Sequence, residues 1–415
     1  MPNSEEMHDV VIVGAGIGGA ALAAGLARGG LDVLLLEKSE TFADRVRGEA
    51  FAPWGVVEAE RLGLREALHQ AGAHYVGRMV GYDEVAPPEI AEMAAVDMAQ
   101  FAPGVPGMMT IPHPAHCQAL YGAAEAAGAT GRRGVVVRAV EAGARPSVTY
   151  DAAGTTITAR ARLVVGADGR PSAVREAFGL PLQATAPRNI LGGLMAEDAH
   201  DWDAADWSIG TKDDFCYAVF PMGDGRVRAY GFWPTDQRRR FAGEAADRRF
   251  LEAFDVDCAP KMRAIAEARV GGPLLSFLNN ETWMEAPFVE GGVLIGDAGG
   301  WTDPIIGCGL SSAYRDARMV RDVLLGSDDW SPAAFGGYAQ ERKERLRRLR
   351  FIGDIITGFF AQFDAVGQAR RRRFNEKAQT EPAMLAHLIA NLAGPESQPP
   401  QMFSPAHRAY LLDVA

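Results

Sequence analysis

One stretch, DVVIVGAGIGGAALAAGLARGGLDVLLLEKSE at residues 9–40, limits what this chain can fold into more than any other. Residues 10–13 are a short apolar run rich in β-branched side chains, the pattern of a strand buried on both faces. Gly14, Gly16 and Gly19 follow with G-x-G-x-x-G spacing, and residues 20–27 are an Ala/Leu helix pattern. Residues 33–36 form a second buried strand that ends at Glu37, roughly 20 residues past the glycines. Each position has a physical task. Gly14 permits the tight turn, Gly16 lets a pyrophosphate approach bare backbone, and Gly19 lets the helix press on the sheet. The helix start, including Ile17 and Gly18, offers unpaired N–H groups and a positive dipole end to phosphates. Glu37 can accept hydrogen bonds from both ribose hydroxyls, and its charge opposes a 2′-phosphate. With strand, glycines, helix, strand and acid in register, the stretch predicts a dinucleotide site; it leaves FAD and NAD both open.

The surrounding 415 residues are enough for two or three lobes. A formal charge of −11 disfavours nucleic acid and anionic membranes as partners. The polar start MPNSEEMHDV lacks the basic and apolar regions of a secretory signal, and no apolar run reaches the length of a membrane span. Cys117, Cys216, Cys258 and Cys308 are scattered without C-x-x-C spacing, so a cytoplasmic protein without a disulfide framework is expected. His113 and His116 have no partner at metal spacing and read as loop and helix-start residues; no metal site is expected.

Along the chain, a polar, Gly/Pro-punctuated loop at 38–55 carries Lys38, Arg45 and Arg47 close to the dinucleotide. Arg47 is the favoured cofactor contact, because Gly48 beside it lets the backbone come near. Residues 86–107 read as an excursion, 116–127 as a helix, 135–140 as a strand, and 148–157 as a hairpin. A buried strand at 161–165 runs into a second glycine turn, with a helix starting near Ser172. Residues 189–234 read as an inserted antiparallel sheet, with a hairpin turn at Met222-Gly223-Asp224-Gly225-Arg226. Residues 236–266 are expected to be helical, with 237–240 on a solvated face. A buried strand at 291–295 leads to a third glycine turn and a helix at 310–325, and helices at 333–362, 364–377 and 382–392 follow. The runs RKERLRRLR and ARRRRF are read as solvated, ion-paired helix faces.

Three strand–glycine–helix junctions, at 14–19, 166–172 and 296–309, suit one extended cofactor lying outside the carboxyl ends of parallel strands, which favours FAD over NAD. The motifs that carry them are GAGIGG at 14–19, GADGRPSAVR at 166–175 and GDAGGWTDPIIGCGLSSAYRDA at 296–317. In this order they resemble the class A flavoprotein monooxygenases, the para-hydroxybenzoate hydroxylase superfamily, which includes geranylgeranyl reductases and flavin-dependent halogenases. The resemblance covers roughly the first 325 residues in motif order. It implies an α/β fold: a Rossmann-like FAD-binding domain at 1–80, 108–182 and 268–330, an antiparallel-sheet substrate domain at 81–107 and 183–267, and a helical C-terminal region at 331–415.

The resemblance also implies roles. Gly296 and Asp297 would hold the ribityl chain, and Asp168 and Gly169 would lie near the pyrophosphate. Pro304 would cover the isoalloxazine, while Gly307, Cys308, Gly309 and Leu310 would surround the flavin ring with backbone N–H groups, which favour the negative charge of reduced flavin. Gln118 is a further candidate contact. No side-chain acid or base is assigned. Ser311 stands where the family usually has Asn, Cys308 fills a variable slot, and no second GxGxxG is present. The reaction implied is hydroxylation of a small aromatic substrate: NAD(P)H, bound transiently, reduces the flavin, and O2 then gives a flavin C4a-hydroperoxide. Alternation in the inserted sheet offers two substrate-facing sets: Cys216, Phe220, Tyr230 and Phe232, or Tyr217, Val219 and Trp233. The reading takes Tyr217, Phe220 and Trp233 as substrate contacts across both sets. A monomer or homodimer is expected. The alternatives are a prenyl or alkene reductase, which RGEAFAPWG at 47–55 resembles, a halogenase, or a non-catalytic flavin-binding protein. The Trp-x-Trp-x-Ile-Pro signature of tryptophan halogenases is absent.

Overall fold

The computed structural model describes residues 4–46 and 48–413. Strand Ser4–Val13 lies at the centre of the first sheet, between Thr155–Gly166 and Val33–Leu36, all parallel. Gly292–Leu294 extends the sheet on one side and Thr130–Arg132 on the other, again in parallel register. The order of these five strands places all three glycine junctions at one edge, because each follows the carboxyl end of a parallel strand. Residues 10–13 are buried because helix Ile17–Arg28 covers one face and Val135, Val148, Tyr150 and Val174 pack on the other. The second strand of the hairpin runs without a break from Thr155 to Gly166 beside the central strand, so the strands expected at 155–157 and 161–165 are one twelve-residue strand.

The second sheet carries the inserted segment. Asn189–Glu197, Val227–Trp233, Phe215–Pro221 and Asp206–Lys212 pair antiparallel in that spatial order. The turn at Met222–Arg226 closes as the glycines require: Gly223, Asp224 and Gly225 all have positive φ, and Met222 N–H donates to Arg226 O at 2.8 Å. Before the excursion, Arg78–Val80 adds a parallel strand beside Asp206–Lys212, and Val96–Asp97 within the excursion pairs with that strand. Arg78 donates to Asp206 at 2.8 Å across the parallel pairing.

Two expectations are corrected. Residues 236–266 do not form a long helix. Left-handed Gly243 and Ala245 interrupt it, leaving only Ala246–Glu252 and Arg263–Ala266 helical, and Phe250 and Phe254 pack against Phe215 beneath the sheet. The tail helices Gly336–Phe360 and Ala365–Lys377 form as expected, but their arginine runs are not simply solvated. Arg347 and Arg348 pair with Glu344, and Arg345 pairs with Glu341, as the sequence suggests. Arg342, Arg345 and Arg371 are nevertheless buried. Arg371 reaches Asp83 at 3.1 Å and Glu84 at 2.8 Å, tying the tail to the segment just before the excursion. A helix at Pro405–Leu412, not expected from the sequence, packs Leu411 and Leu412 against Ile355 and Phe359.

Candidate active site

The three junctions line one cavity of about 1400 Å³. At the first, Gly14 has φ +102°, and a Cβ there would lie 2.4 Å from Ala167 O; a Cβ on Gly19 would lie 1.9 Å from Gly14 O. These two glycines are demanded by backbone packing, and Gly19 does not itself line the cavity. Gly16 differs: nothing lies within 4 Å of where its Cβ would be, and it caps the exposed start of helix Ile17–Arg28. That open cradle at a helix N-terminus fits a phosphate. Ile17 and Gly18 line the cavity with it, as do Glu37 and Lys38. Glu37 is buried and already accepts from Ala15 N–H at 2.9 Å and Ser39 N–H at 3.0 Å. These bonds aim its carboxylate at the glycine loop. Arg45 lines the same rim, whereas Arg47 lies outside the described residues.

At the second junction Asp168 and Gly169 line the cavity. The Asp168 carboxylate accepts from Ser172 Oγ and Val174 N–H, so it also caps helix Ala173–Ala177. Burial raises its pKa, and those hydrogen bonds work against the rise. At the third, Gly296 and Asp297 line the cavity, and Asp297 pairs with Arg170 at 3.2 Å. Behind this loop sits a buried network that the sequence reading missed. Asp316 accepts from Gly296 N–H at 2.8 Å and pairs with Arg342 at 3.0 Å and Arg345 at 2.5 Å. Arg342 also donates to the carbonyls of Gly296, Gly299 and Gly300. Burial works to raise the Asp316 pKa, but the two guanidiniums outweigh it and hold the carboxyl below its ordinary value. The available signal was an Arg pair three residues apart on one helix, together with the Asp that closes the third motif.

Pro304, Gly307, Gly309 and Leu310 bring the cavity to the start of helix Gly309–Gly326, and no atom lies within 4 Å of a Cβ placed on Gly307 or Gly309. The open backbone at both helix starts fits an extended dinucleotide such as FAD. Cys308 does not line the cavity. Its thiol faces inward and donates to Asn391 Oδ1 at 3.0 Å, and burial pushes its pKa up to about 12. Asn391, from the tail, also donates to Ile306 O at 3.0 Å and accepts from the Trp54 indole at 3.1 Å. It therefore fixes the 306–308 loop from behind, a contact no local pattern announced. Gln118 is exposed on helix His113–Ala126 and is absent from the cavity wall, because it falls on the helix face opposite buried His116 and Leu120. Burial drives the imidazole of His116 down to about 3, and the ring stacks on Phe51 as a core group.

Across the cavity from Pro304, the inserted sheet supplies an aromatic floor of Trp207, Phe220, Tyr230 and Phe232. Trp207 and Phe220 stack at 5.3 Å, and the Tyr230 hydroxyl donates to buried Glu49. Burial raises the pKa of Glu49, while Arg228 at 3.2 Å opposes the rise. Tyr217 and Trp233, read above as substrate contacts, are corrected: strand alternation turns them to the opposite face. There Tyr217 donates to Tyr82 O at 3.0 Å, and Trp233 packs edge-on to Phe241 at 5.0 Å. Cys216 shares the parity of Phe220 but is fully buried beneath the floor. Among the described residues, no group of three His, Cys, Asp or Glu side chains could hold a metal ion, and no helix is long and apolar enough to cross a membrane.

The family described as FAD binding domain matches residues 7–348. This chain belongs to that family. It is an FAD-dependent oxidoreductase of the monooxygenase-containing superfamily. It is 28% identical over 82% of its length to digeranylgeranylglycerophospholipid reductase of Methanocella arvoryzae, covering 83% of that protein. It is 27% identical over 82% of its length to FAD-dependent urate hydroxylase of Mycolicibacterium vanbaalenii, covering 85% of that protein. Its fold superposes on p-nitrophenol 4-monooxygenase of Pseudomonas putida with a TM-score of 0.77 at 18% identity, over 94% of this chain and 99% of the other.

Proposed function

We propose that the chain is an NAD(P)H-dependent monooxygenase that uses O2 to hydroxylate a substrate held between the Pro304–Leu310 loop and the aromatic floor. The observation that carries this reading is one continuous cavity joining the phosphate-facing glycine loops to the wall of Trp207, Phe220, Tyr230 and Phe232. Bound FAD supplies the redox chemistry: it takes electrons from NAD(P)H and activates O2. The chain's own residues bind, orient and exclude water. Gly16, Glu37 and Asp297 hold the cofactor, and Gly307, Gly309 and Leu310 present backbone N–H groups to charge that builds up on the flavin. The aromatic floor gives an electron-rich ring flat surfaces to stack on and keeps water from the reacting face. Tyr230, held by Glu49, which in turn pairs with Arg228, is a fixed polar group of the floor and can orient a substrate hydroxyl.

The test is to purify the protein with FAD and supply NADPH or NADH, isotopically labelled O2 and a panel of phenols, anilines and other aromatics. Substrate-stimulated NAD(P)H oxidation with label in the product is expected. A second reading, reduction of an alkene, draws on the similarity to digeranylgeranylglycerophospholipid reductase. Anaerobic conversion of a prenyl substrate to its saturated product, without oxygenation of any aromatic, would establish that reading and refute the first.

A further inference from the structure

The cavity does not end at the aromatic floor. It continues between the inserted sheet and the tail, where Ile356, Phe359, Phe360, Phe374, Leu385 and Leu388 form its wall. At its far end it is lined by Ile90 and Ala94 on one side and Gln379 on the other, all three exposed, which marks an opening to solvent. Beside that opening Met93 is 75% exposed. Large apolar side chains left in water at the rim of an apolar passage mark a place where apolar ligands enter.

Charge in this far lobe is muted. Asp83 and Arg371 line it but neutralise each other at 3.1 Å. His387 lines it as a neutral ring, because burial drives its imidazole down to about 3. The whole cavity, about 1400 Å³, exceeds the roughly 300–1,000 Å³ typical of sites for drug-sized ligands. Neither the glycine loops nor the aromatic floor accounts for the apolar side chains that wall this lobe. One polar group does face the near part of the lobe: Trp207 is buried in the wall, and its indole N–H meets no acceptor among the described residues.

We propose that the substrate carries an extended apolar chain. The chain lies in the lobe between the inserted sheet and the tail helices, having entered between helix Pro88–Met93 and the end of helix Ala365–Lys377. The reacting head sits over the aromatic floor and accepts a hydrogen bond from Trp207. This deepens the proposed function and rests on it for the fate of the head group alone; the binding of the chain follows from the walls.

The test uses the FAD-loaded protein without NAD(P)H and titrates para-n-alkylphenols from ethyl to nonyl, read by the change in flavin absorbance. Affinity is expected to rise about fourfold per added methylene until the lobe is filled. Affinity that is flat beyond propyl overturns the proposal. Ala378→Trp, which narrows the opening, is expected to lower the ratio of nonyl to ethyl affinity at least tenfold, with FAD content reporting that the variant folds. Ala94→Trp narrows the opposite rim from an exposed position and must act in the same direction. Ratios unchanged in both variants overturn the proposal. Trp207→Phe is expected to weaken every phenol by a similar factor, about two- to twelvefold, without altering the chain-length slope. A loss confined to long chains overturns the placing of the head. The two readings fail separately. A steep chain-length slope with no oxygen incorporated refutes the monooxygenase reading only, and hydroxylated ethylphenol with flat affinities refutes this one only.

Discussion

Asp316→Asn tests whether the buried network behind the third glycine loop governs both stability and cofactor retention. Asp316 is fully buried, as is Arg342 to 3% exposure, and together with Arg345 they form one cluster. The substitution keeps the shape of the side chain and removes the carboxylate that bridges the two guanidiniums. Breaking a buried ion pair by removing one partner costs about 3–5 kcal/mol, because the remaining charge is left uncompensated. The amide can still accept from one arginine, so the lower end, about 3 kcal/mol, is expected. Domains of ordinary stability have about 5–15 kcal/mol in total, so a fifth or more would be lost. The assay is urea unfolding followed by tryptophan fluorescence, with the change read from the midpoint at unchanged slope. The carbonyls of Gly296, Gly299 and Gly300 are held by Arg342, so FAD retained through gel filtration should fall in parallel. Asp322→Asn, on the same helix but with a half-exposed side chain, should cost less than about 1 kcal/mol. A stability for Asp316→Asn within about 1 kcal/mol of the parent, with full FAD content, would refute the reasoning.

Three further outcomes are expected. Gly19→Ala places a Cβ 1.9 Å from Gly14 O and should abolish FAD retention, whereas Gly336→Ala, with nothing within 4 Å, should raise stability by about 0.4–1 kcal/mol in urea unfolding. Burial raises the pKa of Glu281 from 4.5 to about 7, with Arg188 opposing and Asp303 adding to the rise. Its contribution to stability is therefore fully present below about pH 4.5 and is lost as pH climbs through about 7. Glu281→Gln should remove a pH-dependent loss on the order of 3 kcal/mol between pH 5 and 8; an unchanged profile would count against it. Phe220→Ala should raise KM for the substrate with little loss of FAD, while Trp233→Ala should cost about 3–5 kcal/mol of stability, and the opposite pattern would place the pocket on the other sheet face.

The nucleotide-binding half was legible because its requirements are local. A tight turn, a bare backbone and an acid at the next strand end are each met by residues within 9–40, and parallel β–α–β geometry brings 166–172 and 296–309 to the same edge without further information. The chain's membership of the FAD-binding family agrees with the resemblance that those motifs carry. Which face of the inserted sheet meets the cavity could not be read, because both faces are apolar: the tail and the flavin loops cover one, and helices around Phe250 and Phe254 cover the other. The arginine runs looked like solvated faces because their partners, Asp316 and Asp83, lie 26 and 288 residues away in sequence. The grip of Asn391 on the 306–308 loop was hidden for the same reason. Sequence by itself determined the glycine turns at the three strand ends, since backbone geometry there admits few residues. Only tertiary structure decided what walls the rest of the cavity, since that depends on which of two equally apolar surfaces the distant tail happens to cover.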